Sequence, residues 1–129
     1  MITFEDIMKS LFYNKTAWYV DMFGKVKSNK TTLFADRNNC TSQKQIDKWL
    51  CVNDLLNVAN YFNQDWTPNW DNTEEEKFEI RVDNIENKSF AVAKVTDKIS
   101  GFVVFKSQQD AQQAIEVLGK QKLDFIFFR

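Results

Sequence analysis

The sequence predicts an α+β fold, with about three helices packed on one face of a small antiparallel sheet, in a single domain over residues 1–129. Three observations carry that expectation. Apolar residues recur at helical spacing behind Ser/Thr capping signals in three places, and short runs alternate apolar and polar side chains between turn residues. The length of 129 residues, with 43% hydrophobic content, suits one core.

Thr3 with Asp6 resembles a capping box, and Phe4, Ile7, Met8, Leu11 and Phe12 follow as one apolar stripe, predicting a helix over about 4–14. Ala17–Phe23 is rich in aromatic and β-favouring residues and reads as a strand closed by Gly24. Lys25–Lys30 reads as a turn or loop, and Thr31–Ala35 as a short returning strand. Ser42 with Gln45 starts a long helix that carries Ile46, Trp49, Leu50, Leu56, Ala59 and Phe62 to about Asn63; Trp49 is expected in the core. Pro68 then bars helix, so Asp65–Asn72 is an ordered loop holding Trp66 and Trp70.

Phe78, Ile80 and Val82 alternate with Lys77, Glu79 and Arg81, Asp83-Asn84 signals a turn, and Ser89–Val95 is a second run. Phe102–Phe105, after Ser100-Gly101, reads as a continuous apolar central strand. Ser107 with Asp110 starts a helix through Ala111, Ala114, Ile115 and Leu118, with Gly119 as its stop. The apolar tail, Leu123–Arg129, fits either a strand or a short helix.

Composition narrows the chemistry. Seventeen basic and 18 acidic residues leave a net charge of −1 and a pI of about 5.5, so no overall field draws nucleic acid. The expected affinity for bare RNA or DNA is weak. Locally the balance shifts: Lys25, Lys27, Lys30, Arg37, Lys44 and Lys48 face only Asp36 and Asp47, while eight acids between Asp65 and Glu86 face only Lys77 and Arg81. No apolar run is long enough to span a membrane, and the N-terminal residues lack the pattern of a secretory signal. Cys40 and Cys51 match no zinc or redox spacing and read as two buried thiols of a reducing cytoplasm. The abundance of Lys, Asn, Phe and Ile, all with AT-rich codons, points to a low-GC bacterial host.

Histidine is absent, which argues against Ser/Cys–His nucleophiles and His-ligated zinc. Only Gly24, Gly101 and Gly119 are present, so no glycine-rich phosphate loop exists. Asp65, Asp71 and Glu74–Glu76 are numerous enough for a carboxylate metal site but lie in one run rather than on converging elements. The expectation is a non-enzyme with no cofactor, no metal and no small-molecule substrate. Binding is read into two segments. Trp66 and Trp70, beside Asp71, Glu74, Glu75 and Glu76, either anchor a cationic partner or fold back over the protein. Lys25, Lys27 and Lys30, with Phe34 and Trp49 nearby, have some of the chemistry of a single-strand binder.

A resemblance adds to this reading. Asn63, Trp66, Pro68, Trp70, the acids Asp71–Glu76 and Lys77-Phe78, together with Phe105-Lys106-Ser107, Ala111, Ala114-Ile115-Glu116 and Leu118-Gly119, resemble a module of small uncharacterised proteins of phages and mobile elements. The likeness covers about the second half and leaves residues 1–40 unassigned; Phe125–Phe128 is more aromatic than the pattern. Small phage proteins of this kind include inhibitors of host defence, anti-CRISPR proteins among them. The resemblance therefore implies a binder of a CRISPR effector nuclease or its guide-RNA complex, with a type VI, RNA-targeting effector as one candidate. The alternative is a nucleic-acid-binding accessory protein of phage replication or regulation.

Overall fold

The first helix is capped by Thr3, whose hydroxyl accepts from the Asp6 amide at 3.1 Å while the Asp6 carboxylate accepts from the Thr3 amide at 3.0 Å. That reciprocal cap opens α1 (Phe4–Phe12). In the computed structural model, which describes residues 1–34, 38–95 and 102–129, six further elements follow: β1 (Lys15–Val20), β2 (Val26–Thr31), α2 (Gln43–Asn63), β3 (Phe78–Asn84), β4 (Ser89–Lys94) and α3 (Gln108–Phe128). The fold class is α+β as the sequence predicts. The four strands, however, form two separate antiparallel pairs, β1–β2 and β3–β4, instead of one sheet. By its contacts the chain divides into two compact units, Met1–Trp49 and Leu50–Arg129.

In the first unit, α1 turns its stripe only partly inward. Met8 and Phe12 are buried with Ala17 and against Phe34, whereas Phe4, Ile7 and Leu11 are exposed. Asn14, at φ 58°, turns the chain into β1. The β1–β2 connection is a tight turn. Gly24 donates to the Asp21 carbonyl at 3.0 Å, the Asp21 amide donates to the Lys25 carbonyl at 2.8 Å, and Asp21 Oδ1 accepts from the amides of Phe23 and Lys25. Gly24 sits at φ 78°, a left-handed conformation that glycine adopts without steric cost. This turn corrects two expectations. Lys25–Lys30 is not a loop, because Val26–Thr31 returns at once as β2 in register Val20↔Val26 to Lys15↔Thr31. Nor does Thr31 open a strand; it ends one, Thr32–Phe34 is irregular, and Ala35 lies outside the described residues. Cys40 bridges to the other edge of β1, with its amide and carbonyl bonded to those of Trp18 at 2.7 and 2.8 Å.

Ser42 caps α2 by accepting from the Gln45 amide at 3.1 Å, while Gln45 Oε1 reaches back to the Thr41 amide at 2.7 Å. Ile46 is fully buried on the first turn and a half. Trp49 departs from expectation, being 48% exposed instead of part of the core. Cys40 is buried and Cys51 half-buried, and neither is in a disulfide; burial pushes the Cys40 thiol pKa up.

The second unit holds the larger core. Leu55 and Ala59 of α2 pack with Ile80, Phe105, Ala111, Ala114, Leu118 and Leu123, joined by half-buried Phe62, Phe78, Phe90 and Val92. Trp49 and Leu56 recur at seven-residue spacing and lie outside the Leu55/Ala59/Phe62 row, which is why Leu56 is also exposed. Phe102–Phe105 is not a strand. Only Phe105 pairs, through two bonds to Phe78 at 2.8 and 3.1 Å, because the Asn63 side chain takes the neighbouring backbone: Nδ2 donates to Val104 O at 2.8 Å and Oδ1 accepts from the Lys106 amide at 3.0 Å. Ser100 and Gly101 lie outside the described residues. Ser107 caps α3 on the Asp110 amide at 3.1 Å. Gly119, at φ 82° and ψ 160°, breaks the helix in a conformation open to glycine alone, but the helix resumes. The tail is therefore helical, and Leu123 is completely buried.

Candidate functional site

The loop between α2 and β3 is built from asparagines and closed around a lysine. Asn63 ends α2, and Gln64, at φ 52°, makes the left-handed exit, its amide bonded to Asn60 O at 3.0 Å. Beyond Pro68, two side-chain turns follow each other. Asn69 Oδ1 accepts from the Asp71 amide at 3.0 Å, and Asn72 Oδ1 accepts from the Glu74 amide at 3.0 Å. Their backbones close the same turns, Asn72 N–H to Asn69 O at 3.2 Å and Glu75 N–H to Asn72 O at 3.3 Å.

Lys77 fills the space these turns enclose. It is only 5% exposed, unusual for an ammonium, and its Nζ has three acceptors for three protons. These are the carbonyls of Asn72 and Glu75, each at 3.3 Å, and Glu75 Oε1 at 3.2 Å. The Trp70 ring covers it with its centroid 5.1 Å away, so the π face adds a fourth favourable contact. Glu75 is equally engaged. Its carboxylate accepts from the Asn69 amide at 2.8 Å and pairs with Lys77 at 3.2 Å. The Asn69 bond first, and then Lys77 and Trp66, hold the Glu75 carboxyl below the ordinary glutamate pKa against the opposing push of burial.

The acidic candidates therefore divide. Glu75 faces inward as part of the frame, and Trp66 and Trp70 are half-buried, with the Trp70 ring over Lys77. Asp71, Glu74 and Glu76 stay exposed, with Glu76 lightly paired to Lys94 at 3.2 Å. The residues grouped in the sequence thus separate into a frame, with Glu75 and the Trp70 ring on Lys77, and a rim of Asp71, Glu74 and Glu76. β3 continues the alternation: Glu79 is buried and paired with Arg81, while Phe78 and Ile80 enter the core. Among the described residues, no three His, Cys, Asp or Glu side chains converge as a metal ion requires, and no helix is long and apolar enough to cross a membrane.

The basic candidates lie in the first unit. Lys25 follows the hairpin turn, Lys27 pairs with Asp21 at 3.1 Å, and Lys30 stands exposed on β2. Arg37 and Asp36 of that segment lie outside the described residues. Sequence reasoning missed Lys77, Asn69, Asn72 and Asn63 as the organising residues. The Asn-x-x-Asn spacing of 69 and 72 was the available signal, since Asn favours side-chain-closed turns. Nothing in the sequence distinguishes Lys77 from an exposed lysine. No family model, no curated protein and no solved structure matches this chain, so the chemistry of the loop rests on its own geometry.

Proposed function

We propose that the chain is a non-catalytic interaction protein whose Trp66–Lys77 loop docks on a cationic protein surface. The observation that carries this reading is the Lys77–Glu75–Trp70 frame, which orders a rim of three exposed acids, Asp71, Glu74 and Glu76, before any partner arrives. A rim ordered in advance loses little entropy on binding, and its charge steers encounter with Lys- and Arg-rich surfaces. Nucleases that handle RNA or DNA line their channels with such residues. Together with the resemblance to phage and mobile-element proteins, this favours a host defence nuclease as the partner: a CRISPR effector or its guide-RNA complex, in a bacterial cytoplasm, with a type VI effector as the specific candidate. Capture from a low-GC host lysate, identified by mass spectrometry and followed by an RNA-cleavage assay with the captured effector, tests the proposal. Inhibition of cleavage at near-stoichiometric protein supports it; capture of proteins with no nuclease among them refutes the anti-defence reading.

The nucleic-acid reading rests on a different observation, the exposed Lys25 and Lys30 beside the half-buried Trp18 on the β1–β2 hairpin. With a pI of about 5.5 and Lys27 already paired, binding to bare single strands is expected to be weak and salt-sensitive. Submicromolar binding to random single-stranded RNA at about 0.15 M salt would reverse the ranking.

A further inference from the structure

β2 is an edge strand whose outward hydrogen-bonding groups can be named from its partners. In an antiparallel pair the backbone groups of successive residues point alternately toward the partner strand and away from it. The Asp21 amide bonds to Lys25 O across the turn, which sets Tyr19↔Lys27, Ala17↔Asn29 and Lys15↔Thr31 as the pairs bonded inside the hairpin. Trp18 confirms the alternation, because both its backbone groups point outward to Cys40. On β2, Val26, Ser28 and Lys30 must then direct their N–H and C=O groups away from β1. Among the described residues β2 has β1 alone as its neighbour in the sheet, and Ser28 and Lys30 are exposed.

The side chains along this edge are strongly biased. From Lys15 to Thr31 the hairpin carries Lys15, Lys25, Lys27 and Lys30 against the single acid Asp21, and Asp21 is already shared by Lys27 and the turn amides. Lysines on an edge strand oppose pairing with a like-charged strand. Two β2 edges brought together would set lysine against lysine, so a second copy is a poor occupant. An acidic extended segment meets the opposite situation. It supplies donors and acceptors at the spacing of Val26, Ser28 and Lys30, and its carboxylates neutralise the flanking lysines. A nucleic-acid backbone satisfies only the amides and cations and leaves the outward carbonyls facing phosphate.

The geometry points to strand addition: an extended acidic peptide segment of a partner protein docks on the open edge of β2, pairing with the backbone of Val26, Ser28 and Lys30 under the charge of Lys25, Lys27 and Lys30. The apolar side chains of such a segment would lie beside Val26 and Trp18, which share the Ser28 face of the hairpin. This contact is separate from the acidic loop of the second unit and does not depend on it.

A fluorescent heptapeptide alternating Glu with Val, titrated by polarisation against the full chain, tests it together with two twins N-methylated on alternate amides. Only one edge of an extended peptide faces β2, so one twin should bind like the parent and the other at least about tenfold more weakly. Ser28→Pro removes an outward N–H without taking a bond from the hairpin, and should weaken the parent peptide by about tenfold or more. In wild-type protein the Ser28 and Lys30 amides should exchange with deuterium more slowly when peptide is added, a readout that stands even where the proline variant fails to fold. Equal binding of both methylated twins, unchanged exchange at Ser28 and Lys30, or no binding at about 1 mM peptide overturns the proposal. So does tighter binding of a single-stranded RNA heptamer that displaces the peptide, or a dimer that Ser28→Pro dissociates.

Discussion

In the Asn69–Lys77 loop the turns are closed from inside: two asparagine side chains, one carboxylate and one ammonium bond to each other and to the backbone around them. In the β1–β2 hairpin the turn is closed just as well by Asp21, but the strand that leaves it keeps Lys25 and Lys30 in solvent and, among the described residues, one backbone edge unpaired. Both segments read in sequence as polar, charged stretches between apolar elements. The difference lies in where the charge goes. A lysine carried into a ring of carbonyls must be satisfied completely, because an unpaired buried ammonium is far more costly than an exposed one. A lysine on a two-stranded ribbon has water for a partner and stays available to a ligand.

The largest effect should come from the core of the second unit. Phe105 is completely buried and bonded through its backbone to Phe78 at the start of β3, so Phe105→Ala should cost about 3–5 kcal/mol in urea unfolding. Trp49, at 48% exposure, should lose much less on the same truncation; comparable losses would mean that Trp49 belongs to a core after all.

The comparison itself is sharpened by two lysines. Lys77→Met removes the centre of the ring and leaves the Glu75 carboxylate with one partner fewer, and should destabilise the protein by about 2–4 kcal/mol. Lys30→Met, on the exposed strand, should stay within about 0.5 kcal/mol. Equal effects would erase the distinction between the two segments. The Lys77 variant should also change tryptophan emission, since Trp70 loses the cation over its ring.

A smaller and pH-dependent effect is expected at Glu75. Its pKa is lower in the folded state than in the unfolded chain, so the carboxylate stabilises the fold fully above the ordinary glutamate value, and that contribution is lost as pH falls through the depressed folded value. Glu75→Gln should therefore melt below wild type at pH 7, and the two should converge as the pH is lowered past about 4. A constant difference in melting temperature across that range would mean that the Asn69 and Lys77 bonds do not depend on the charge. Asp6 and Asp21 are held low by their own amide partners and add acid sensitivity common to both proteins.

Much of the fold was legible where short-range chemistry decides it. Thr3, Ser42 and Ser107 cap the three helices as read, and Phe78/Ile80/Val82 against Ser89–Lys94 form the expected hairpin. Reading failed where tertiary contacts overrule composition. Polar Val26–Thr31 became a strand because the Gly24 turn folds it onto β1, a register that composition does not encode. Apolar Phe102–Phe105 lost its strand to a competing amide, Asn63, from 41 residues earlier in the chain. In the loop the acids and tryptophans stand out in the sequence, but Glu75 and Lys77 look like their solvated neighbours. Only the turns at Asn69 and Asn72 carry them inward.

The central claim is that the exposed acids of the loop, on their lysine-held frame, make the functional contact. Two charge-swap proteins test it most directly. One replaces Asp71, Glu74 and Glu76 with Lys and spares Glu75, whose bonds hold the loop; the other replaces Lys25, Lys27 and Lys30 with Glu. Measured against the captured nuclease, the first swap should weaken inhibition by about a hundredfold and the second by less than about threefold. Inhibition that survives the first swap and disappears in the second would contradict the account and move the functional contact to the hairpin.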